Sequence, residues 1–361
     1  MSRFKSAYSG YRGRRTLTDI LRLTAMVLGV LVLLVGAGLL FGQRYIVYTD
    51  DGLRLDLPFG GEKAQKPLEP GDVSVVVRPQ EGASVPEEPA PAAVEEAALA
   101  ALELPLEAVL DETALQQLEA AGANALILEM KGPEGTLNWQ SEQPMAIQAK
   151  VNSNLEGINA RLEEWNRGEV YTIARVCCFR DNSLPYQRNA VALRASYGNW
   201  RDELGLRWLD PDNGDARGYL AQLCGELARL GFDEILLECC AFPTQGDRES
   251  IVRKDSFVTG QFEPVAEAFL KEVAGVLEPY DTVLAVRVER DSLTGADVLS
   301  GLTPAVLEHC AHRLWMAEDG TSPALLDLLT GAGIQEPDKR LVRVTASLLE
   351  EMGEPRAVLE P

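Results

Sequence analysis

Helical and strand patterns alternate along the chain from about residue 105 onward. Apolar runs typical of buried strands lie at 123–131, 169–179 and 232–240, and amphipathic helical patterns lie between them at 153–168 and 214–231. Strands that are connected through helices pair in parallel, with helices covering the sheet. The pattern therefore predicts an α/β fold, a (β/α) TIM-like barrel that is either complete or reduced at its C-terminal end. An open, doubly wound sheet is the alternative.

An uncharged apolar run, LTAMVLGVLVLLVGAGLLF, occupies residues 23–41. As a helix it would span roughly 28 Å, close to the hydrocarbon thickness of a bilayer. Basic residues outnumber acids before it, so we predict a single-pass transmembrane helix with a cytoplasmic N-terminus and an extracellular main domain. A cleaved signal peptide is the alternative, and Arg14-Arg15 weakly resembles a twin-arginine export signal.

Composition divides the rest of the chain. Residues 45–59 alternate about a D-D-G turn, which is typical of a hairpin, although an extended stalk fits equally. The next segment is rich in Pro, Glu and Ala and predicts a linker. The predicted organisation is a basic cytoplasmic segment, the membrane helix, the hairpin or stalk, the linker and the barrel domain, at 1–22, 23–41, 45–59, 60–104 and 105–361.

Charge and motif content exclude several functions. The formal net charge is -21, which disfavours nucleic acid. Neither GxGxxG nor GxxxxGK[ST] follows a strand, so the sequence predicts no nucleotide cofactor. The chain has two histidines, and its six cysteines contain no CxxC spacing, which argues against a zinc site. Buried free thiols are one interpretation of the cysteines, and a Cys177–Cys240 or Cys178–Cys239 bridge is the other.

The active site of a β/α barrel lies at the C-terminal ends of its strands. Carboxylates and bases dominate those positions here, namely Glu129, Lys131, Arg175, Asp181, Glu238 and Glu289. Neither a Ser-His-Asp nor a Cys-His arrangement is available there. Paired carboxylates support acid/base and nucleophilic work, as in glycoside hydrolysis.

Three ordered segments carry a family resemblance: VYTIARVCCFRD, NWRDELGLRWLDP and GFDEILLECCAFP. They resemble a bacterial glycoside hydrolase domain family with an amylase-like barrel, which has the patterns Y-x-I-A-R-x-x-x-F-K/R-D, W-x-D-P and F-D-E-I-x-F-D-Y-x-R-F-P. The earlier ALILEMKGPEGTLNWQS is similar to the family's first strand. The resemblance extends over about residues 105–300.

The resemblance implies roles for individual residues. Glu238 stands where the family has the aspartate that is similar to the nucleophile of amylase-like barrels, and Glu289 takes the place of the general acid, with Asp291 as a substitute. The implied substrate-binding residues are Glu129, Lys131, Arg175, Asp181, Trp208 and Asp210. The family's Asp-Tyr-x-Arg is Glu-Cys-Cys-Ala here, so the nucleophile is one methylene longer and the neighbouring arginine is missing.

Structural explanations compete with each of these roles. Glu238 can form an ion pair with Arg175, and Glu289 can be a solvated surface residue. Glu129 and Lys131 are two residues apart on a strand and are expected to share a face, as site residues or as a structural pair. Asp210 can cap a turn before a helix. Loop tryptophans such as Trp139, Trp200 and Trp208 can stack on sugars or close a core.

The sequence leaves two main functional hypotheses. One is a membrane-anchored glycoside hydrolase that acts on a polysaccharide or peptidoglycan-type glycan of the cell envelope or environment. The other is an inactive barrel that binds glycan or an envelope partner. A tethered scaffold without sugar contact is the third hypothesis, and it has the least support.

Overall fold

The computed structural model describes residues 46–49, 52–55, 98–252, 261–296, 299–319, 324–348 and 354–359. The chain divides into two compact units, Met1–Pro89 and Ala90–Pro361. The predicted membrane helix at 23–41 lies outside the described residues. Across the described ranges, no helix combines the length and the apolar content needed to cross a membrane. In the first unit, Ile46–Thr49 pairs antiparallel with Gly52–Leu55.

The second unit contains a closed barrel of eight strands. All neighbouring strands pair in parallel, each with the next one along the chain and the last with the first. The strands are β1 Ala100–Glu103, β2 Ala125–Lys131, β3 Tyr171–Cys177, β4 Glu234–Glu238, β5 Val283–Arg287, β6 Arg313–Ala317, β7 Leu341–Val344 and β8 Arg356–Val358. Closure excludes the open-sheet alternative and shows that the barrel is complete.

Helices follow the strands, as the alternation predicts. They are α1 Leu106–Leu110, α2 Ala114–Ala121, α3 Pro144–Ala149, α4 Ile158–Asn166, α5 Leu184–Gln187, α6 Gly214–Arg229, α7 Glu263–Leu277, α8 Arg290–Thr294, α9 Pro304–Cys310, α10 Leu325–Gly331 and α11 Pro337–Arg340. Local residues set several of their ends. Gly122 ends α2 in the left-handed conformation, and the side chain of Asn213 accepts a hydrogen bond from the Ala216 amide at the start of α6.

The first barrel strand, β1, lies five residues before the domain start that the sequence suggests, within the segment assigned to the linker. Its residues AALE follow an Ala-rich stretch, so they carry little strand signal of their own. Pairing with β8 and β2 on either side holds this short strand in the barrel. The barrel therefore includes Glu103, the last residue of β1, among the residues at its C-terminal opening.

Two apolar layers stabilise the barrel. The outer layer lies between the strands and the helices. The inner layer fills the barrel itself and consists of Ala101, Ala125, Ile127, Ile173, Leu236, Ala285, Trp315, Val342 and Ala357. Alanines at four of these nine positions leave room for the indole of Trp315, which is fully buried. One bulky ring thus fills a space that branched side chains usually fill in such barrels.

A polar cluster closes the opposite, N-terminal end of the barrel. The carboxylate of Glu234 is fully buried, accepts hydrogen bonds from Trp315 Nε1 at 2.9 Å and the Tyr171 hydroxyl at 3.0 Å, and forms an ion pair with Arg313. Burial raises the pKa of Glu234, and the charge of Arg313 opposes the shift only in part. Glu234 therefore has a structural role far along β4 from Glu238.

Candidate functional site

Charged side chains from the first five strands meet at the C-terminal opening of the barrel. We call them the mouth cluster: Glu103, Glu129, Arg175, Glu238 and Arg287. Each lies at or near the C-terminal end of its strand, where alternation along the strand directs it toward the barrel axis. The sequence prediction names three of them. Glu103 and Arg287 were missed.

Arg175 lies at the centre of the mouth cluster. Its Nη1 lies 2.7 and 2.8 Å from the two carboxylate oxygens of Glu103, and its Nε donates to Glu238 Oε2 at 2.9 Å. Glu129 lies at the edge of the cluster, 4.0 Å from the same guanidinium group. Burial alone would lower the pKa of Arg175, but the charges of Glu238 and Glu103 outweigh it and raise the pKa. Arg175 therefore acts as a fixed cation at the mouth.

Glu238 forms ion pairs with arginines on both neighbouring strands. In addition to the Arg175 contact, its Oε1 accepts a hydrogen bond from Arg287 Nη1 at 2.6 Å. The side chain is only 11% exposed, so both pairs are largely shielded from water. Guanidinium groups from β3 and β5 thus hold Glu238, and the contact with Arg175 that the sequence suggested is present.

A cavity of about 690 Å³ opens above the mouth cluster. Its lining includes Arg175, Trp208, Glu238, Cys239, Arg287 and Glu289. A pocket of this size at strand C-terminal ends, with a few convergent polar groups, has the form of a small-molecule or saccharide site. The cavity therefore supports the site location that the sequence predicts.

Glu289 lies two residues after β5, at the N-cap of the short helix α8. It is exposed and lines the same cavity as Glu238. Asp291, its substitute in the sequence analysis, is exposed in the first turn of α8 and also lines the cavity. Both carboxylates can reach a ligand in the cavity, and the general-acid role of Glu289 stays a prediction.

A second polar group lies on one wall of the cavity. Asp202 accepts a hydrogen bond from Arg180 Nε at 2.6 Å and another from Trp208 Nε1 at 3.0 Å. Burial would raise the pKa of Asp202, but hydrogen bonds from the Trp208 indole, the Leu206 amide and Arg180 lower it. The indole of Trp208 is fixed in this way at the cavity, with 7% of its surface exposed. The sequence analysis selected Trp208 but neither Arg180 nor Asp202.

Lys131 and Asp181 form a buried ion pair, which favours the structural explanation of this pair over substrate binding. Both side chains are fully buried and lie 3.1 Å apart, with Lys131 also donating to the carbonyl oxygens of Cys177 and Cys178. Burial alone would lower the pKa of Lys131, but its interactions with Asp181, Cys177 and Cys178 together outweigh burial and raise the pKa. Gly135, with φ of +83°, packs so closely that a Cβ there would lie 2.1 Å from Asp181 Oδ1.

A bulge in β2 explains why the side chains of Glu129 and Lys131 lie on opposite faces of the sheet. Glu129 is in register with Arg175, but Lys131 is in register with Val176, because the pairing shifts between them. Neighbouring residues of β3 face opposite sides of the sheet, so the two β2 residues do as well. The prediction that Glu129 and Lys131 share a face of the strand is therefore wrong. Glu129 stays at the mouth, while Lys131 turns into the protein.

Asp210 lies in a turn and not in the cavity lining. Its side chain is 2% exposed, and Oδ1 accepts a hydrogen bond from the Asp212 amide at 3.1 Å, just before α6. This geometry fits the local-cap interpretation, and the substrate-binding role of Asp210 stays a prediction. Trp139 and Trp200 are fully buried and donate to Glu226 and to the Asp247 carbonyl, so they close the core and cannot stack on a sugar.

The cysteines are free thiols, which is one of the two interpretations drawn from the sequence. Within the described ranges, no group of three or more His, Cys, Asp or Glu side chains is arranged to hold a metal ion.

A closed parallel barrel with carboxylates at its C-terminal mouth is an arrangement that glycoside hydrolases use, with acid/base and nucleophilic residues at the strand ends. The model of one family, described as "Putative glycosyl hydrolase domain", matches residues 104–292. The chain belongs to this family. The resemblance seen in the sequence is confirmed.

Solved structures with similar folds come from several organisms. A hypothetical protein from Ruminiclostridium thermocellum is 25% identical over 51% of this chain and 96% of its own, with a TM-score of 0.44. The PgaB (BpsB) glycoside hydrolase domain from Bordetella bronchiseptica is 14% identical over 68% and 83%, with a TM-score of 0.45. A GH20 exo beta-N-acetylglucosaminidase from Vibrio harveyi is 9% identical over 73% and 45%, with a TM-score of 0.47. No curated protein matches the chain.

Proposed function

We propose that the chain is a membrane-anchored glycoside hydrolase that cleaves a polysaccharide or peptidoglycan-type glycan of the cell envelope or the environment. Family membership gives the reaction class. The observation that carries the proposal is the position of Glu238, a carboxylate held between Arg175 and Arg287 at the floor of the cavity that Glu289 also lines.

The two glutamates suit different roles. Guanidinium groups beside both oxygens of Glu238 hold its side chain at the floor of the cavity, where it can attack or stabilise an anomeric carbon. Glu289 is exposed and lines the same cavity, so we assign it as the group that faces the glycosidic oxygen. The two side chains thus differ in how they are held, one between two arginines and the other at the exposed wall of the cavity.

The reaction follows from those roles. A glycan enters the cavity with its anomeric carbon over Glu238 and its glycosidic oxygen toward Glu289. The bond to the leaving oxygen breaks as Glu238 attacks or stabilises the anomeric carbon, and Glu289 transfers its proton to that oxygen. Water then completes hydrolysis, and Trp208 offers an aromatic edge for the sugar at the cavity wall.

The membrane location is a further part of this proposal. It is supported by the uncharged run at 23–41 and by the basic residues before it. We infer a cytoplasmic N-terminus and a barrel on the outer side of the membrane. Protease treatment of intact cells checks the orientation, since an outer barrel is cleaved or released and an inner barrel is protected.

A glycan-binding barrel without catalysis is the second candidate, and one observation favours it. Both oxygens of Glu238 accept hydrogen bonds from arginines. A carboxylate with both oxygens hydrogen-bonded to guanidinium groups is a weaker nucleophile than a carboxylate without such partners. Such a barrel would retain the cavity and the bound sugar but would not break the glycosidic bond.

Release of reducing sugar by the purified full chain tests the two candidates. Peptidoglycan and a panel of α- and β-glucans are the substrates, and retention on the same glycans in immobilised form is the second measurement. Release from one of them supports the hydrolase. Retention without release from any of them supports the binding barrel, and neither retention nor release contradicts both.

A further inference from the structure

Two cysteines lie side by side beneath the cavity, and the proposed hydrolysis does not use them. Cys177 ends β3 and is in register with Glu238 on β4, and Cys239 follows Glu238 directly. The strand pairing continues past the strand ends, because the Phe179 amide donates to the Cys239 carbonyl at 3.0 Å. With a strand spacing near 4.8 Å and a rise near 3.3 Å, a diagonal neighbour lies roughly 6 Å away between Cα atoms. This is within the usual range for a disulfide.

The backbone at Cys239 departs from the regular alternation of β4. Regular alternation would place Cys240, two residues after Glu238, on the same face as Cys177. Instead Cys239 has φ of +46°, a left-handed conformation that is uncommon for a residue with a Cβ. Cys239 therefore lines the cavity, while Cys240 is almost fully buried.

The two thiols differ in access. Cys239 is partly exposed at the cavity, whereas Cys177 is buried and its thiol also donates to the Arg180 carbonyl. Interaction with the neighbouring Cys239 side chain and burial both raise the pKa of the Cys177 thiol. An accessible thiol beside a sheltered one is the arrangement in which one sulfur reacts and the second resolves. Left-handed conformations at residues other than glycine are also frequent at functional sites.

We propose that Cys177 and Cys239 form a modification site that a hydroperoxide oxidises to a disulfide at the mouth of the barrel. The Cys239 sulfur, as thiolate, attacks the outer peroxide oxygen, the O–O bond breaks, and the leaving oxygen takes up a proton to form water or an alcohol. Cys177 then loses its proton, its sulfur attacks the Cys239 sulfur, and the hydroxyl group leaves as water. Two thiols are oxidised by two electrons, and one peroxide is reduced.

Mass spectrometry of the native full chain tests this site. The protein is treated with hydrogen peroxide, the remaining thiols are alkylated, and cross-linked peptides are fragmented to separate Cys177 from Cys178 and Cys239 from Cys240. We expect loss of two of the six alkylatable thiols and a Cys177–Cys239 cross-link. A cross-link at Cys178, Cys224 or Cys240 in its place, oxidation of Cys239 to sulfinic acid without a cross-link, or six intact thiols would each overturn the proposal.

Variants provide the matched controls. Cys177→Ser and Cys239→Ser are each expected to abolish the cross-link, whereas Cys310→Ser on α9 is expected to leave it unchanged. Cross-linking that persists in either of the first two variants would contradict the assignment. Mapping of the parent chain does not depend on how the variants fold, and it is independent of whether the chain cleaves a glycan.

Discussion

The Nε atom of Arg175 lies 2.9 Å from Oε2 of Glu238, and this contact joins the C-terminal ends of β3 and β4. The same guanidinium group binds Glu103 on β1, so one arginine connects three strands of the barrel mouth. A site carboxylate is therefore also part of the structure that holds the opening together. Loss of function and loss of stability have to be measured separately at this position.

Arg175→Met is expected to lower the free energy of unfolding by about 3–5 kcal/mol, because it leaves the shielded carboxylates of Glu103 and Glu238 without this cation. Urea unfolding followed by circular dichroism measures the change. The control is Arg229→Met, which removes an exposed ion pair with Glu142 and is expected to change stability by less than about 1 kcal/mol. Equal effects of the two variants would contradict the central position of Arg175.

Lys131→Met is expected to be destabilising by about 3–5 kcal/mol, since Asp181 would stay buried without its cation. Asp181→Asn in the same chain removes the unpaired charge, so the double variant should be more stable than the sum of the two single changes predicts, by about 1–3 kcal/mol. Urea unfolding of the four proteins gives this coupling energy. Additive effects would show that the two side chains do not stabilise each other.

Asp202→Asn is expected to alter the pH dependence of stability. The pKa of Asp202 is lowered in the folded protein, so its contribution is present above the ordinary value of 3.8 and is lost as pH falls through the lowered folded value. The stability difference between parent and variant should therefore be constant from about pH 7 to about pH 5 and shrink progressively from there to about pH 2. Urea midpoints over this range measure it, with Asp111→Asn at an exposed position as control. A difference that stays constant with pH would contradict the assignment.

The barrel could be predicted from sequence where each strand is long and apolar. Ala125–Lys131 and Tyr171–Cys177 fall inside the predicted strands, and α6 begins at the predicted residue. β1 and β8, with four and three residues, gain their conformation from pairing with neighbours, and local pattern does not reveal them. Barrel closure depends on these two strands, so the sequence left open whether the barrel was complete.

The site could be predicted in part for a similar reason. Rules about strand ends selected Arg175 and Glu238, which meet as expected. They missed Glu103 because its strand was not recognised, and they placed Lys131 at the mouth because a bulge cannot be seen in the spacing of residues. Arg287 could have been found, since it lies two residues before Glu289 on the face that alternation directs inward.

The rate of sugar release by Glu238→Gln, on a glycan that the parent chain cleaves, tests the central claim most directly. We predict that sugar release by Glu238→Gln becomes undetectable while its cooperative unfolding transition is retained. The rate of sugar release by Glu289→Gln is predicted to fall by about 10²–10⁴-fold, as expected for a lost general acid. The control Glu249→Gln, at an exposed position away from the cavity lining, is predicted to keep the parent rate. Release by Glu238→Gln at the parent rate would contradict a catalytic role for the carboxylate at the mouth of the barrel.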